Sequence, residues 1–511
     1  MNKINTFKNE RLAGAILSYI FTSLNLLVNF IYAPVLLKYL GKSEYGLYQM
    51  VASFFAYITI FETSISSGVL RYYCNAKAKN DTEAMENVLF ISRRIYRIIS
   101  VILIFFGIVL IAGYTAFYRS SLSDTQLRES IFMLVALIVN MIVSMLNSVY
   151  IATITGNERF IFAQSLRIVI QIVQPLLCCL VAIRYPYALT IVIGQLIVNI
   201  AAATARRIYA KKSIGIKIIQ HQKDSELSKA ILVFASSLLI SSIADQIFWK
   251  ADQIIIGKMY STVLVAIYSI GGQIYNSYQH VGTSITMIFY PQISNLYQED
   301  DALAKISKLF IKVGRIVFFI LLIVLSGFAI FGKEFIRYWV GDDYYEAYYV
   351  ALFVMLPFTI DLVQNIGLSI LQVMNKYSFR AKMYFVAAIL NIGSTIIMMR
   401  YMGIKGAALS TGISMLLTSG FILNGYYIKL GLDIKGFWKN IVIILVKLSP
   451  LIIMTYFINK LWLENVFGSM WWLAARIVLY SICYLLLVFF VAMNKNEKEI
   501  ARKFIRRLIK R

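Results

Sequence analysis

Apolar residues run through the chain in long blocks, each closed by a short cluster of Lys, Arg, Asp, Glu, Gly or Asn. A membrane-crossing helix needs about 20 such residues. The pattern predicts fourteen blocks of that kind: 12–37, 45–70, 95–117, 130–153, 164–184, 187–207, 230–256, 262–290, 310–331, 345–373, 379–399, 404–428, 437–458 and 470–493. The breaks between them are short, the longest being 71–94 and 208–229, which leaves no room for an extramembrane domain. The expected fold is an all-α polytopic membrane protein with about fourteen transmembrane helices. The first block follows the charged start MNKINTFKNER but is far longer than a signal-peptide core of about 7–15 residues, so it is read as the first span.

Composition strengthens this picture. Of 511 residues 59% are hydrophobic and only 15% charged, with a mean hydropathy of +0.72. A soluble chain carries about 25% charged residues. Lys and Arg number 50 against 25 acidic residues. In a soluble protein that excess suggests nucleic acid, which is not expected here. In a membrane protein it orients the spans. With the N-terminus inside, about 35 of the cations fall in inner segments and about 11 in outer loops. Both termini are therefore expected on the cytoplasmic side, which requires an even number of spans. Four cysteines, Cys74, Cys178, Cys179 and Cys483, and two histidines, His221 and His280, offer neither a disulfide framework nor metal-ligand spacing. No metal and no cofactor are expected.

A weak internal repeat appears at an offset of about 216–218 residues: TITGNERFIFAQSLRIVIQIV (153–173) aligns with QVMNKYSFRAKMYFVAAILN (372–391). Six spans per unit give two units of like orientation, a transporter architecture with a central cavity. The expected organisation is an N-terminal six-helix lobe (1–207), a cytoplasmic linker (208–229), a second six-helix lobe (230–429) and an appended helix pair (430–493). A basic tail (494–511) completes it, in which Ile500, Phe504, Ile505, Leu508 and Ile509 share one helical face.

Several spans carry a polar stripe. On 230–256, Ser241, Ser242, Asp245, Trp249 and Asp252 fall within one arc, and Lys250 lies further round. An ionised group facing lipid at the bilayer centre costs at least about 2.5–3.5 kcal/mol, so this face must meet protein or water. The first span repeats the stripe without charge, through Asn25 and Asn29. Asn147 on the fourth span corresponds to Asn365 on the tenth, which also carries Asp361, and the second span carries Glu62. Hydrogen bonding between helices accounts for many such Ser, Thr and Asn residues. Carboxylates in low dielectric suit an H⁺ or Na⁺ coupling site, which makes Glu62, Asp245, Asp252 and Asp361 the coupling candidates. Buried cations suit an anionic cargo; Arg167 and Lys250 are the leading ones, with Lys447 and Arg476 on the appended pair. The expected cavity lining is Asn25, Asn29, Asn147, Arg167, Trp249, Lys250 and Asn365. Pro34, Pro175, Pro357 and Pro450 lie inside spans and predict kinks.

In YLGKSEYGLYQMVASF (39–54), GVLRYY (68–73), WKADQIIIG (249–257), FIRYWVGDDYYEA (335–347) and YMGIKGAALSTGIS (401–414), the chain resembles polysaccharide-type flippases of the multidrug/oligosaccharidyl-lipid/polysaccharide exporter superfamily. The resemblance marks Asp252, Gly257 and the 403–408 turn. It implies movement of undecaprenyl-diphosphate-linked oligosaccharide repeat units across the bacterial inner membrane by alternating access, for O-antigen, capsule or exopolysaccharide synthesis. It also implies membrane lipids and a polymerase as partners. The lipid II branch uses arginines in its first helix; this first span has none, so lipid II is not the expected cargo.

The chain lacks GxxxxGK[ST], so any driving force comes from an ion or substrate gradient or from product removal. A multidrug or cation antiporter of the same fold is the main alternative. A glycan polymerase or ligase is weaker, because the largest outer loop, near 332–346 with Asp342 and Asp343, spans only about 15 residues. A passive channel or scaffold fits the repeat poorly.

Overall fold

The computed structural model describes residues 2–215, 217–221, 224–463, 469–499 and 502. All regular structure among them is helical. In lipid every backbone polar group must find its partner inside the chain, and the α-helix does this within one segment. Eleven helices among the described residues are long and apolar enough to cross a membrane. Their outward faces carry large apolar side chains, such as Phe105 and Val109, each 67% exposed. Such a surface is stable only against hydrocarbon, and the chain is a multi-pass membrane protein.

The chain divides into two compact units, Met1–Ser269 and Ile270–Arg511. The first holds α1 (Asn2–Ala78), α2 (Thr82–Tyr118), α3 (Asp124–Gly156), α4 (Phe160–Arg184), α5 (Ala188–Tyr209) and α6 (Ser225–Met259), and it ends within α7 (Thr262–Thr286). The helical run through α1 is broken at Gly41, whose φ of 78° and ψ of 171° suit glycine alone. Its apolar length, Leu12–Ala78, covers 67 residues. At about 1.5 Å per residue that is roughly 100 Å, too long for one crossing of about 30 Å. Gly41 therefore separates two arms, where hydropathy predicts a break between 37 and 45.

The second arm of α1 runs antiparallel to α6. Gly68 faces Ile231, Ser53 meets Gln253, Met50 covers Gly257, and Gly46 lies against the Thr262 carbonyl. The repeat places α6 at the start of a second lobe; the packing groups it with the first unit. Ile65, Tyr73, Leu89, Tyr96, Met145 and Ile231 join α1, α2, α3 and α6 in one apolar core.

The second unit continues with α8 (Tyr290–Leu296), α9 (Ala302–Val340), α10 (Glu346–Val363) and α11 (Ile366–Val373). After these come α12 (Tyr377–Met402), α13 (Ile404–Met415), α14 (Leu423–Lys429), α15 (Ile434–Ile458) and α16 (Met470–Leu487). The predicted span 345–373 is interrupted at Gln364 and Asn365. Gln364 donates instead to the Ser419 carbonyl (2.7 Å). Pro34, Pro175, Pro357 and Pro450 all lie inside helices, as expected. The turn between α9 and α10 is short, and Asp342 in it pairs with Arg337 (2.9 Å).

Two ion pairs, one buried and one largely so, fasten the final segments to α9. Arg315 donates to Glu497 from Nε (2.6 Å) and Nη2 (2.9 Å), and to Asn440 Oδ1 on α15 (3.0 Å). Arg476 on α16 donates to both carboxylate oxygens of Glu334. The apolar tail face of Ile500, Phe504, Ile505, Leu508 and Ile509 lies outside the described residues.

Candidate functional site

The α6 stripe separates by depth. Asp252 is 2% exposed and accepts a hydrogen bond from Tyr268 Oη on α7 (2.5 Å). Beside it Gln253 donates to Ser269 Oγ (3.1 Å) and accepts from Ser53 Oγ on α1. Two turns earlier Asp245 is exposed, while Trp249 and Lys250 are half-buried. Residues seven apart point nearly the same way on a helix. Tyr268 closes over the stripe at its Asp252 end. Among the described residues Lys250 makes no hydrogen bond or ion pair. The side chain of Ser241 lies outside the described residues.

A second cluster lies between α1, α3, α4 and α5. The half-buried Glu62 accepts from Ser148 Oγ (3.4 Å) and lies within electrostatic range of Arg206. The buried Asn147 amide donates to the Ala203 carbonyl (3.1 Å) and accepts from Arg206 Nη1 (3.1 Å). Arg167 is close enough to Arg206 to repel it. It stacks on Phe21 at 4.1 Å from the ring centre and donates to Gln164 Oε1 (3.2 Å). Three residues nominated separately by the sequence, Glu62, Asn147 and Arg167, thus meet around one that was not. Arg206 reads as the cytoplasmic end of its span. The signal that could have found it is the spacing of seven from Asn199, which itself donates to Asn140 Oδ1 (2.6 Å) and Ser144 Oγ (2.9 Å). Asn140, Ser144 and Asn147 share one face of α3, and Asn199 and Arg206 share the facing side of α5.

Asn29 Nδ2 on the first arm of α1 donates to Asn25 Oδ1 (2.5 Å). In the second unit Asp361, 3% exposed, lies beside Arg380 Nη2 (3.5 Å) and accepts from Tyr384 Oη (3.4 Å). Arg380 also escaped the sequence reading, being counted with the cytoplasmic charges. Asn365 donates to Thr286 Oγ1 (2.9 Å). Of the cations on the appended pair, Arg476 is bound to Glu334 and Lys447 donates to the Val491 carbonyl (3.1 Å). The first unit thus gathers amides, two arginines and a carboxylate within the membrane-crossing region. Guanidinium groups bind phosphate oxygens, and amides with an aromatic ring suit sugar hydroxyls and faces.

The family described as polysaccharide biosynthesis protein matches residues 12–297, more than half of the chain. No curated protein matches the sequence. The fold is similar to that of the lipid II flippase MurJ in an inward closed conformation, with a TM-score of 0.72 at 15% identity over 98% of this chain and 100% of that one. It is also similar to an inward-facing multidrug resistance MATE family transporter of the MOP superfamily, with a TM-score of 0.63 at 13% identity over 80% of this chain and 95% of that one. A MOP superfamily transporter from Pyrococcus furiosus matches with a TM-score of 0.51 at 12% identity, over 83% of this chain and 96% of that one. At such identities the likeness establishes the fold, which is one of transporters and flippases.

Proposed function

We propose, from the premise that the chain belongs to the polysaccharide biosynthesis protein family, that it carries undecaprenyl-diphosphate-linked oligosaccharide repeat units across the bacterial inner membrane by alternating access. The observation that carries this reading is Arg206, bonded to Asn147 and within electrostatic range of Glu62 and Arg167. A diphosphate entering a low-dielectric site needs a fixed cation, and a bidentate guanidinium supplies one. In this reading Arg167, Arg206 and Lys250 meet the diphosphate. Asn25, Asn29, Asn147, Trp249 and Asn365 meet the glycan. Glu62, Asp245, Asp252 and Asp361 are the coupling candidates for H⁺ or Na⁺.

Fourteen crossings follow when the two arms of α1 are counted apart and α6 and α7 are added to the remaining helices. The Lys and Arg distribution then puts both termini in the cytoplasm. O-antigen, capsule or exopolysaccharide is the destination of the glycan, with a polymerase as the downstream partner.

A multidrug or cation antiporter is the second reading. The half-buried Glu62 favours it, because a carboxylate in low dielectric binds a cationic drug as readily as a proton. Deletion of the protein in its native cell, followed by analysis of lipid-linked intermediates, tests the proposal. Full repeat units are expected to accumulate on the inner leaflet. Truncated intermediates would point to an enzyme. Intact glycan export with raised sensitivity to cationic drugs would establish the antiporter.

A further inference from the structure

Beside the Arg206 cluster, the neighbouring side chain on α5 points elsewhere. Arg207 is about 100° round the helix from Arg206 and lines a cleft between α2, α3 and α5 that meets the Arg206 cluster at Asn147 and Ala203. This cleft has a volume of about 550 Å³ and takes Arg93 and Arg97 from α2. A second cleft of about 420 Å³ shares Arg93 and Tyr150 with the first and adds Lys211 and Lys217 from the turn after α5. Five cations thus line one continuous groove. Among the described residues no carboxylate pairs with any of them. Like charges gathered without counter-ions repel one another, which an anion in the groove relieves.

The groove is not uniformly basic. Val143 and Leu146 on α3 and Ile200 on α5 form its other wall. Ile200 is 44% exposed and Leu146 37%. Ile200 lies seven residues from Arg207, about 10 Å along the helix axis. One end therefore offers guanidinium and ammonium groups, and the other offers aliphatic surface. A free phosphate satisfies the first and leaves the second bare. A diacyl lipid with an anionic headgroup satisfies both. Basic pockets between transmembrane helices on the cytoplasmic side bind such headgroups.

We infer that this groove is a binding site for one anionic phospholipid, its headgroup phosphate held by Arg93, Arg97 and Arg207 and its acyl chains lying along Val143, Leu146 and Ile200. Lys211 and Lys217 flank the headgroup. The cleft also takes Asn147, which touches Arg206, so the lipid site adjoins the residues assigned to the cargo, and it stands whether that cargo is a glycan lipid or a drug. A bound lipid here bridges α2, α3 and α5.

Native mass spectrometry of the purified full-length protein in detergent tests this, with phosphatidylglycerol, phosphatidylcholine and inorganic phosphate titrated separately. Wild-type protein is expected to hold one phosphatidylglycerol in preference to phosphatidylcholine, and millimolar phosphate is expected to leave it in place. At about fivefold per cation, the triple variant R93Q/R97Q/R207Q should bind it about a hundredfold more weakly. Ile200→Trp keeps every cation but fills the aliphatic wall, and it should also release the lipid. Should the triple variant fail to fold, K211Q/K217Q, whose positions lie in the turn after α5, is expected to weaken binding measurably. Equal retention of phosphatidylcholine, unchanged binding by the triple or the K211Q/K217Q variant, or unchanged binding by Ile200→Trp would overturn the proposal. Displacement by phosphate would reassign the groove to a free anion.

Discussion

Arg476 on α16 donates from Nη1 to Glu334 Oε1 on α9 (3.1 Å) and from Nη2 to Oε2, with Arg476 buried and Glu334 largely so. Asn459 Oδ1 accepts a third bond from the same guanidinium (2.6 Å). Breaking a buried pair by removing one partner leaves an uncompensated charge and costs about 3–5 kcal/mol. Arg476→Ala should therefore lower thermal stability sharply, whereas R476M/E334L, which removes both charges, should cost much less. Unfolding of the detergent-solubilised variants measures this. Equal loss in both would show that packing, not charge, fastens α16.

Arg206→Gln removes the cation shared by Glu62 and Asn147. Losing a charge-assisted contact to a phosphate is worth about 1.5–3 kcal/mol, so export is expected to fall by at least about tenfold. Arg206→Lys keeps the charge without the planar fork and should restore part of it. Complementation of a deletion strain, with protein level checked by blotting, is the measurement. Full export by Arg206→Gln would remove this residue from the site.

Gly41 and Gly46 make contrasting demands. A Cβ on Gly41 meets nothing within 4 Å, so Gly41→Ala costs only the backbone conformation, about 1–3 kcal/mol. A Cβ on Gly46 overlaps the Thr262 carbonyl and must push α1 away from α7. Gly46→Val is expected to be the more damaging, by the same unfolding assay, and to lower the yield of folded protein.

Tyr268→Phe deletes a hydrogen bond to the buried Asp252 and should destabilise by about 1–3 kcal/mol. Asp252→Asn keeps an acceptor for Tyr268 and should be milder. Wild-type stability in Asp252→Asn together with abolished transport would instead mark Asp252 as a coupling residue.

The break at Gly41, the helix-borne prolines and the apolar blocks were all legible, because hydropathy and backbone preference are local properties of the chain. The seven-residue spacing of Asn199 and Arg206 was missed, because only the packing of α3 puts Asn140, Ser144 and Asn147 opposite. Less legible was rank among the carboxylates. Asp245 and Asp252 point the same way on one helix, yet Asp245 is exposed and Asp252 is buried under Tyr268. Arg380 and Arg315 look like ordinary cytoplasmic charges and prove to be partners of Asp361 and Glu497.

By itself the sequence determined an all-helical, multi-pass membrane chain with polar stripes on named helices, since the bilayer permits few other solutions for so apolar a chain. Only the tertiary structure decided which charge meets which. Pairs such as Arg476 with Glu334, 142 positions apart, depend on the rotation and depth of each helix against its neighbours, and packing between distant segments sets both.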